Sequence, residues 1–354
     1  MANNNSLKKP RRHEISFLNV ILCLTVIFIH IISYAVSGLE VGSVKYNIAM
    51  FLWRMSSFAV QGFILLSGVK FFLTKKDEVP YGSYLLSRLK AIVIPYAVLF
   101  VVYYAFYYVA YDYPLDIKFI LKMFFSGSLV CHLYFIPLII QFDLLAPLWK
   151  KLVNRFSGMI IVPFCLLLGQ LLEIYLPDMV KISFPGSNFI YSDRIFTSYL
   201  LYWIAGCYIG KNYDFFLRFI KESFLVITVA LCITLVIFGY YTYIAFNNIA
   251  YVPFMNQVHS LYVVCILSFL YAFSAKFGLQ IMERIKLLTK IDRISYSIYL
   301  WHMLVIFFAN YVLELFGIAS QGLAFAVRAI IVYPGTIVWC LIVNSVKNKT
   351  KKFR

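Results

Sequence analysis

Phe17 to Val36 reads FLNVILCLTVIFIHIISYAV, twenty residues without a formal charge at neutral pH. That is the length an α-helix needs to cross a hydrocarbon core of roughly 30 Å. Inside a bilayer only a helix or a closed barrel satisfies its own backbone polar groups, so the stretch reads as a membrane-spanning helix. One side chain is out of place in it. His30 is an ionisable group within an apolar span, and such groups mark either a functional cavity or a polar partner. A core histidine hydrogen-bonded to a neighbouring helix is the alternative, and this stretch alone leaves both readings open.

The whole chain repeats the pattern. Of its 354 residues 62% are hydrophobic, 19% aromatic and 13% charged, against about 25% charged in soluble domains. The net charge of +17 does not point to nucleic acid. The basic residues sit in short clusters between apolar runs, as the positive-inside rule requires. The seven cysteines are scattered, mostly inside apolar runs, with no CxxC pair, and read as small buried hydrophobes. No span carries two close His or acidic ligands, so neither a metal nor a bound cofactor is expected. The first apolar run is too long for a signal h-region and no small-residue cleavage site follows it. It is expected to remain as the first span.

Length and hydropathy predict an all-α polytopic bundle of about ten spans, near 16–36, 48–72, 89–110, 131–149, 158–176, 195–211, 223–246, 258–275, 294–316 and 321–344. An amphipathic stretch near 118–128 precedes the fourth. One side collects Lys8, Lys9, Arg11 and Arg12, then Lys75, Lys76, Arg88 and Lys90, then the loops at 150–155, 211–221 and 276–293, and finally the tail at 347–354. The other side has only Lys45, Lys118, Lys122, Lys181 and Arg194. Both termini are therefore expected in the cytoplasm, with 1–15 and 345–354 as basic ends of a single domain over 1–354. The one sizeable outer loop, near 177–194, has Pro177, Pro185 and Gly186 as breakers.

Depth along the spans groups several polar residues. His30 lies toward the outer half of the first span, and Arg54 enters the second at a similar level. His132 opens the fourth span on that side and Arg328 enters the tenth. Intramembrane arginine costs about 2.5–3.5 kcal/mol on insertion scales, so convergence at one level suggests a polar cavity. Snorkelling to the interface is the alternative for Arg54 and Arg328, and an interfacial helix end for His132.

Three stretches carry a family resemblance. The opening span ends in His30. FAVQGFILLSG, Phe58 to Gly68, is an apolar run closing in Ser-Gly, and ISYSIYLWH spans Ile294 to His302. Weaker matches are SRLKAIVIPY (Ser87 to Tyr96), HLYFIPLII (His132 to Ile140) and WIAGCYIG (Trp203 to Gly210). In this order the chain resembles acyltransferase family 3, integral membrane enzymes that acylate cell-surface sugars. The resemblance implies transfer of an acetyl, or succinyl, group from a cytoplasmic acyl-CoA co-substrate to a glycan or lipid-linked sugar at the plasma membrane.

The resemblance points to His30, Arg88 and His302 as site residues, and depth and chemistry add Arg54, Lys90, His132 and Glu173. His30 is the base or nucleophile, since neutral imidazole can take a hydroxyl proton or hold an acyl group. Arg54 is placed to stabilise the oxyanion. Arg88 and Lys90 are candidates for the CoA phosphates, or serve topology alone. His132 and Glu173 are candidates for the acceptor. His302, inside the late signature, lines the cavity or hydrogen-bonds Tyr296 or Tyr299. Gly68 reads as helix packing.

One position departs from the pattern: the family usually has Arg or Lys eleven residues before the first-span histidine, and here Asn19 stands there. Asn19 and His30 still share a helix face, roughly 16 Å apart at 1.5 Å per residue. Two other classes stay open: an exporter of polysaccharide or lipid-linked glycan, and an inactive relative that scaffolds a polysaccharide synthase.

Overall fold

The first span is the most buried long helix of the structure. This computed structural model describes residues 12–73, 80–183 and 191–352, with side chains to 347. The expected cytoplasmic residues Lys8, Lys9, Arg11, Lys75 and Lys76, the loop breakers Pro185 and Gly186, and the tail's side chains beyond Lys347 lie outside the described residues.

The helices run α1 (His13–Gly38), α2 (Val44–Met55), α3 (Ala59–Leu73), α4 (Tyr81–Arg88), α5 (Ile94–Tyr111), α6 (Ile117–Ser126), α7 (Phe135–Leu144), α8 (Ala146–Arg155), α9 (Gly158–Ser183), α10 (Leu200–Lys211), α11 (Tyr213–Glu222), α12 (Phe224–Phe246), α13 (Met255–Arg284), α14 (Lys286–Leu315) and α15 (Gln321–Lys352). Among the described residues eight segments are long and apolar enough to cross a membrane. The chain is a multi-pass helical membrane protein.

The other two expected spans are shorter. The fourth is split into α7 and α8, because Pro147 opens α8 and Leu145 leaves the helical region. The sixth is α10, led in by single 3-10 turns at Ser192–Arg194 and Phe196–Tyr199. The amphipathic stretch is α6, which starts at Asp116, whose carboxylate caps the Phe119 N–H at 2.9 Å, and stops at Gly127 in the left-handed region. Pro177 does not end the fifth span but lies inside α9. Proline is tolerated inside membrane helices, where its breaking effect is absorbed locally.

The chain divides into two compact units. The first comprises 1–58, 217–299 and 313–354. In it α1 packs against α2, α13 and α15, and α12 against α2 and α13. The apolar window of α1 is 67% buried, against 11–50% for the other seven long helices, so α1 is the post around which this unit forms. Ile32 and Ala35 pack on Ala49 of α2, with Phe28, Trp53 and Phe325 around them.

The second unit comprises 59–216 and 300–312. Its centre is the α3–α10 pair. A Cβ on Gly68 would run into the Trp203 carbonyl oxygen, one on Gly206 into that of Leu65 and one on Gly210 into that of Val69. Three glycines thus let two backbones touch, the small-residue packing read at Gly68 and extended by the Gly206–Gly210 spacing. Trp203 is 1% exposed and stacks on Phe142 of α7 at 4.6 Å.

Candidate functional site

In the first unit the face of α1 that carries His30 begins with Asn19. Asn19 is 6% exposed. Its amide donates to Asp292 Oδ1 at 2.8 Å and Ser295 Oγ at 2.9 Å, both on α14. One turn on, the Cys23 thiol faces the Ser295 carbonyl at 3.7 Å. The position where the family usually has a cation is therefore a neutral donor built onto a carboxylate. His30 follows, partly exposed, with its carbonyl accepting from Ser33 Oγ at 2.9 Å. One turn beyond, Tyr34 receives the Arg328 guanidinium over its ring at 4.8 Å. Arg328 thus has a π partner on α1.

Arg54 lies where the second span breaks. The hydroxyls of Ser56 and Ser57 bond back to the Leu52 and Arg54 carbonyls, at 2.8 and 2.6 Å. Such local bonds compete with the helix ladder, and α2 ends there. The Met55 carbonyl released by the break accepts from the Tyr262 hydroxyl at 2.7 Å. The Arg54 guanidinium is boxed by Phe246, Phe238 and Trp53 at 5.4, 5.5 and 5.9 Å to their ring centroids. Cation–π contact of this kind lowers the cost of holding the charge there. Its buried Nε has no hydrogen-bond partner among the described residues.

The same corner holds a histidine that the sequence reading passed over. His259, in the first turns of α13, packs against Phe238 at 5.2 Å with the rings tilted by 33°. Its Nε2 lies 2.7 Å from Ser57 Oγ. The signal was available: His259 opens a span on the side that offered Arg54 and His132. Arg54, Ser57 and His259 therefore form one polar cluster.

In the second unit two expected residues meet. The rings of His132 and His302 lie 4.7 Å apart, edge to face. They are 3% and 0% exposed, so both rings are buried within the protein. Tyr103 packs edge-on to His132 at 5.8 Å and donates its hydroxyl to the Leu300 carbonyl at 2.9 Å.

Arg88 ends α4 with Nε donating to Asp143 Oδ2 at 2.7 Å, and the Tyr84 hydroxyl donates to the other carboxylate oxygen. Asp143 is 3% exposed, and a buried carboxylate needs such partners. Lys90 sits exposed in a single π turn, Leu89–Val93, that joins α4 to α5 just before Pro95. Glu173 is on an exposed flank of α9 among Leu171, Ile174 and Tyr175. Among the described residues no group of three or more His, Cys, Asp or Glu could hold a metal ion.

The family described as an acyltransferase domain matches residues 12–345. Curated relatives include proteins of Staphylococcus aureus strains MRSA252, MSSA476 and MW2, each named probable poly-beta-1,6-N-acetyl-D-glucosamine export protein. Each is 28% identical over 252 residues, covering 68% of this chain and 67% of the relative. No solved structure matches.

Proposed function

The chain belongs to the acyltransferase family whose pattern covers residues 12–345, and from that premise we propose that it is a plasma-membrane O-acyltransferase. It takes an acetyl, or succinyl, group from cytoplasmic acyl-CoA and places it on a glycan or lipid-linked sugar at the outer face, with both termini inside. The family match over nearly the whole chain carries this reading. A histidine on the most buried long helix supports it.

In chemical detail, a sugar hydroxyl attacks the acyl carbonyl, the new C–O bond forms and the C–S bond of the thioester breaks. His30 takes the hydroxyl proton, or holds the acyl group as a nucleophile. Arg54 offers its Nε–H to the developing oxyanion. Lys90, exposed in its π turn, is the first candidate for a CoA phosphate, with Arg88 beside it on Asp143. His132, His302 and Glu173 are the candidates for acceptor contacts.

The relatives' name favours a second reading, export of a poly-N-acetylglucosamine chain or a lipid-linked precursor. It also suggests the acceptor class for the first. Mass spectrometry of surface glycan from cells with the wild-type chain and with His30→Ala, at matched membrane levels, tests the proposal. Loss of the acyl mass increment in the variant is expected. An unchanged acyl content in wild type, variant and deletion would refute acyl transfer to that glycan. Loss of surface glycan without acyl loss would favour export, and neither effect a scaffold.

A further inference from the structure

We propose that Ser57 is a covalent station for the acyl group, with His259 as its base and Arg54 as its oxyanion donor. The inference rests on the acyltransferase reading and adds a nucleophile that neither the family match nor the sequence motifs assign.

Four observations carry it. Ser57 Oγ stands 2.7 Å from His259 Nε2, a nucleophile and a base within proton-transfer reach. The imidazole packs on Phe238 at 5.2 Å with the rings tilted by 33°, so its edge is directed rather than free to swing. Arg54 is fixed over the same Phe238 ring at 5.5 Å and keeps a buried Nε–H unspent among the described residues. The backbone turns away after Met55, and the Tyr262 hydroxyl caps the carbonyl released there, at 2.7 Å. Ser57 therefore stands at a helix break.

The hydroxyl has a second acceptor, the Arg54 carbonyl at 2.6 Å. Its single proton goes to that carbonyl when His259 Nε2 is protonated, and has both acceptors within reach when Nε2 is not. A hydroxyl used only to end α2 would need the carbonyl alone.

In the first half-reaction Ser57 Oγ attacks the thioester carbonyl. The Oγ–C bond forms, the C–S bond breaks, CoA leaves as the thiolate and the Ser57 proton rests on His259. In the second, the acceptor hydroxyl attacks the acyl-serine. Its proton goes to the base assigned above to His30, and the proton on His259 returns to Ser57. The sum is thioester plus alcohol to ester plus thiolate, with one proton released.

The test incubates the full chain in lipid nanodiscs with radiolabelled acetyl-CoA and no acceptor, quenches in acid and maps the labelled peptide. Label on Ser57 is expected in wild type and in His30→Ala. It should vanish in Ser57→Ala and form about 100-fold more slowly in His259→Gln. Ser57→Cys should keep the label as a thioester released by neutral hydroxylamine, a readout that a hydrogen bond serving only to shape the turn would not produce. Wild type that releases CoA with acceptor while Ser57 stays bare, or Ser57→Ala that turns over at the wild-type rate, overturns the station and leaves the acyltransferase reading intact. Wild type that neither takes label nor releases CoA overturns both.

Discussion

Replacing Asn19 with aspartate should loosen α1 from α14 more than replacing it with alanine. Asn19 presents two N–H groups to Asp292 Oδ1 and Ser295 Oγ, at 2.8 and 2.9 Å, at a position 6% exposed. Alanine removes both donors. Two hydrogen bonds, one to a carboxylate, are together worth about 1–3 kcal/mol in this setting. Aspartate removes them as well and sets a second carboxylate against Asp292. Two unit charges ~4 Å apart interact by about 4 kcal/mol at an effective dielectric of ~20.

Lysine keeps a donor and supplies a counter-charge, and should stay near wild type. Cys23 reports the local opening, since its thiol is 2% exposed and faces the Ser295 carbonyl at 3.7 Å. Cys207, 0% exposed in the other unit, is the control. Peptide-mapped alkylation by a maleimide in detergent should speed up at Cys23 by about tenfold in Asn19→Ala and by 100-fold or more in Asn19→Asp, at ~1.4 kcal/mol per decade. Cys207 should hold its rate. A Cys23 rate within about threefold of wild type in Asn19→Asp, or a parallel rise at Cys207, would refute the reasoning.

Three further outcomes follow from the second unit. Gly206→Ala drives a Cβ into the Leu65 carbonyl and should lower stability by about 1–3 kcal/mol in a melting experiment, whereas Gly82→Ala meets open space on α4 and should be neutral or stabilising by up to about 1 kcal/mol. Arg88→Ala leaves the buried Asp143 carboxylate with Tyr84 alone and should cost about 3–5 kcal/mol, with Asp143→Asn in the same background recovering part of it. A double-mutant cycle of His132→Ala and His302→Ala should show coupling of about 0.5–1.5 kcal/mol, because the rings touch at 4.7 Å; strict additivity would contradict the contact.

The spans were legible where length decides. Phe17 to Val36 holds no charge, and α1 runs from His13 to Gly38 around it. Gly68 read as packing and is backbone contact. His132 and His302, chosen separately, share a contact. The interruptions were not legible, because apolar content does not see them. Leu145 and Pro147 keep the run hydrophobic while splitting it into α7 and α8, and Ser56 and Ser57 look like ordinary small residues until their hydroxyls bond back to the helix. Arg194 read as a sparse outer charge. Its carbonyl accepts from Gln141 at 2.8 Å, and its guanidinium donates to the Ser126 carbonyl at 3.0 Å. His259 escaped because its span was judged by hydropathy alone, and its serine partner lies 202 positions earlier.

The central claim is catalytic, and acceptor-dependent release of CoA from acetyl-CoA by the purified full chain in nanodiscs tests it most directly. Without acceptor, thiol release should stop at about one per chain; turnover beyond that should require a glycan or lipid-linked sugar acceptor and fall by two orders of magnitude or more in His30→Ala. Wild type that releases no thiol with any such acceptor in nanodiscs, yet carries a poly-N-acetylglucosamine chain across the membrane when reconstituted in sealed vesicles, would contradict the acyltransferase account and establish the exporter.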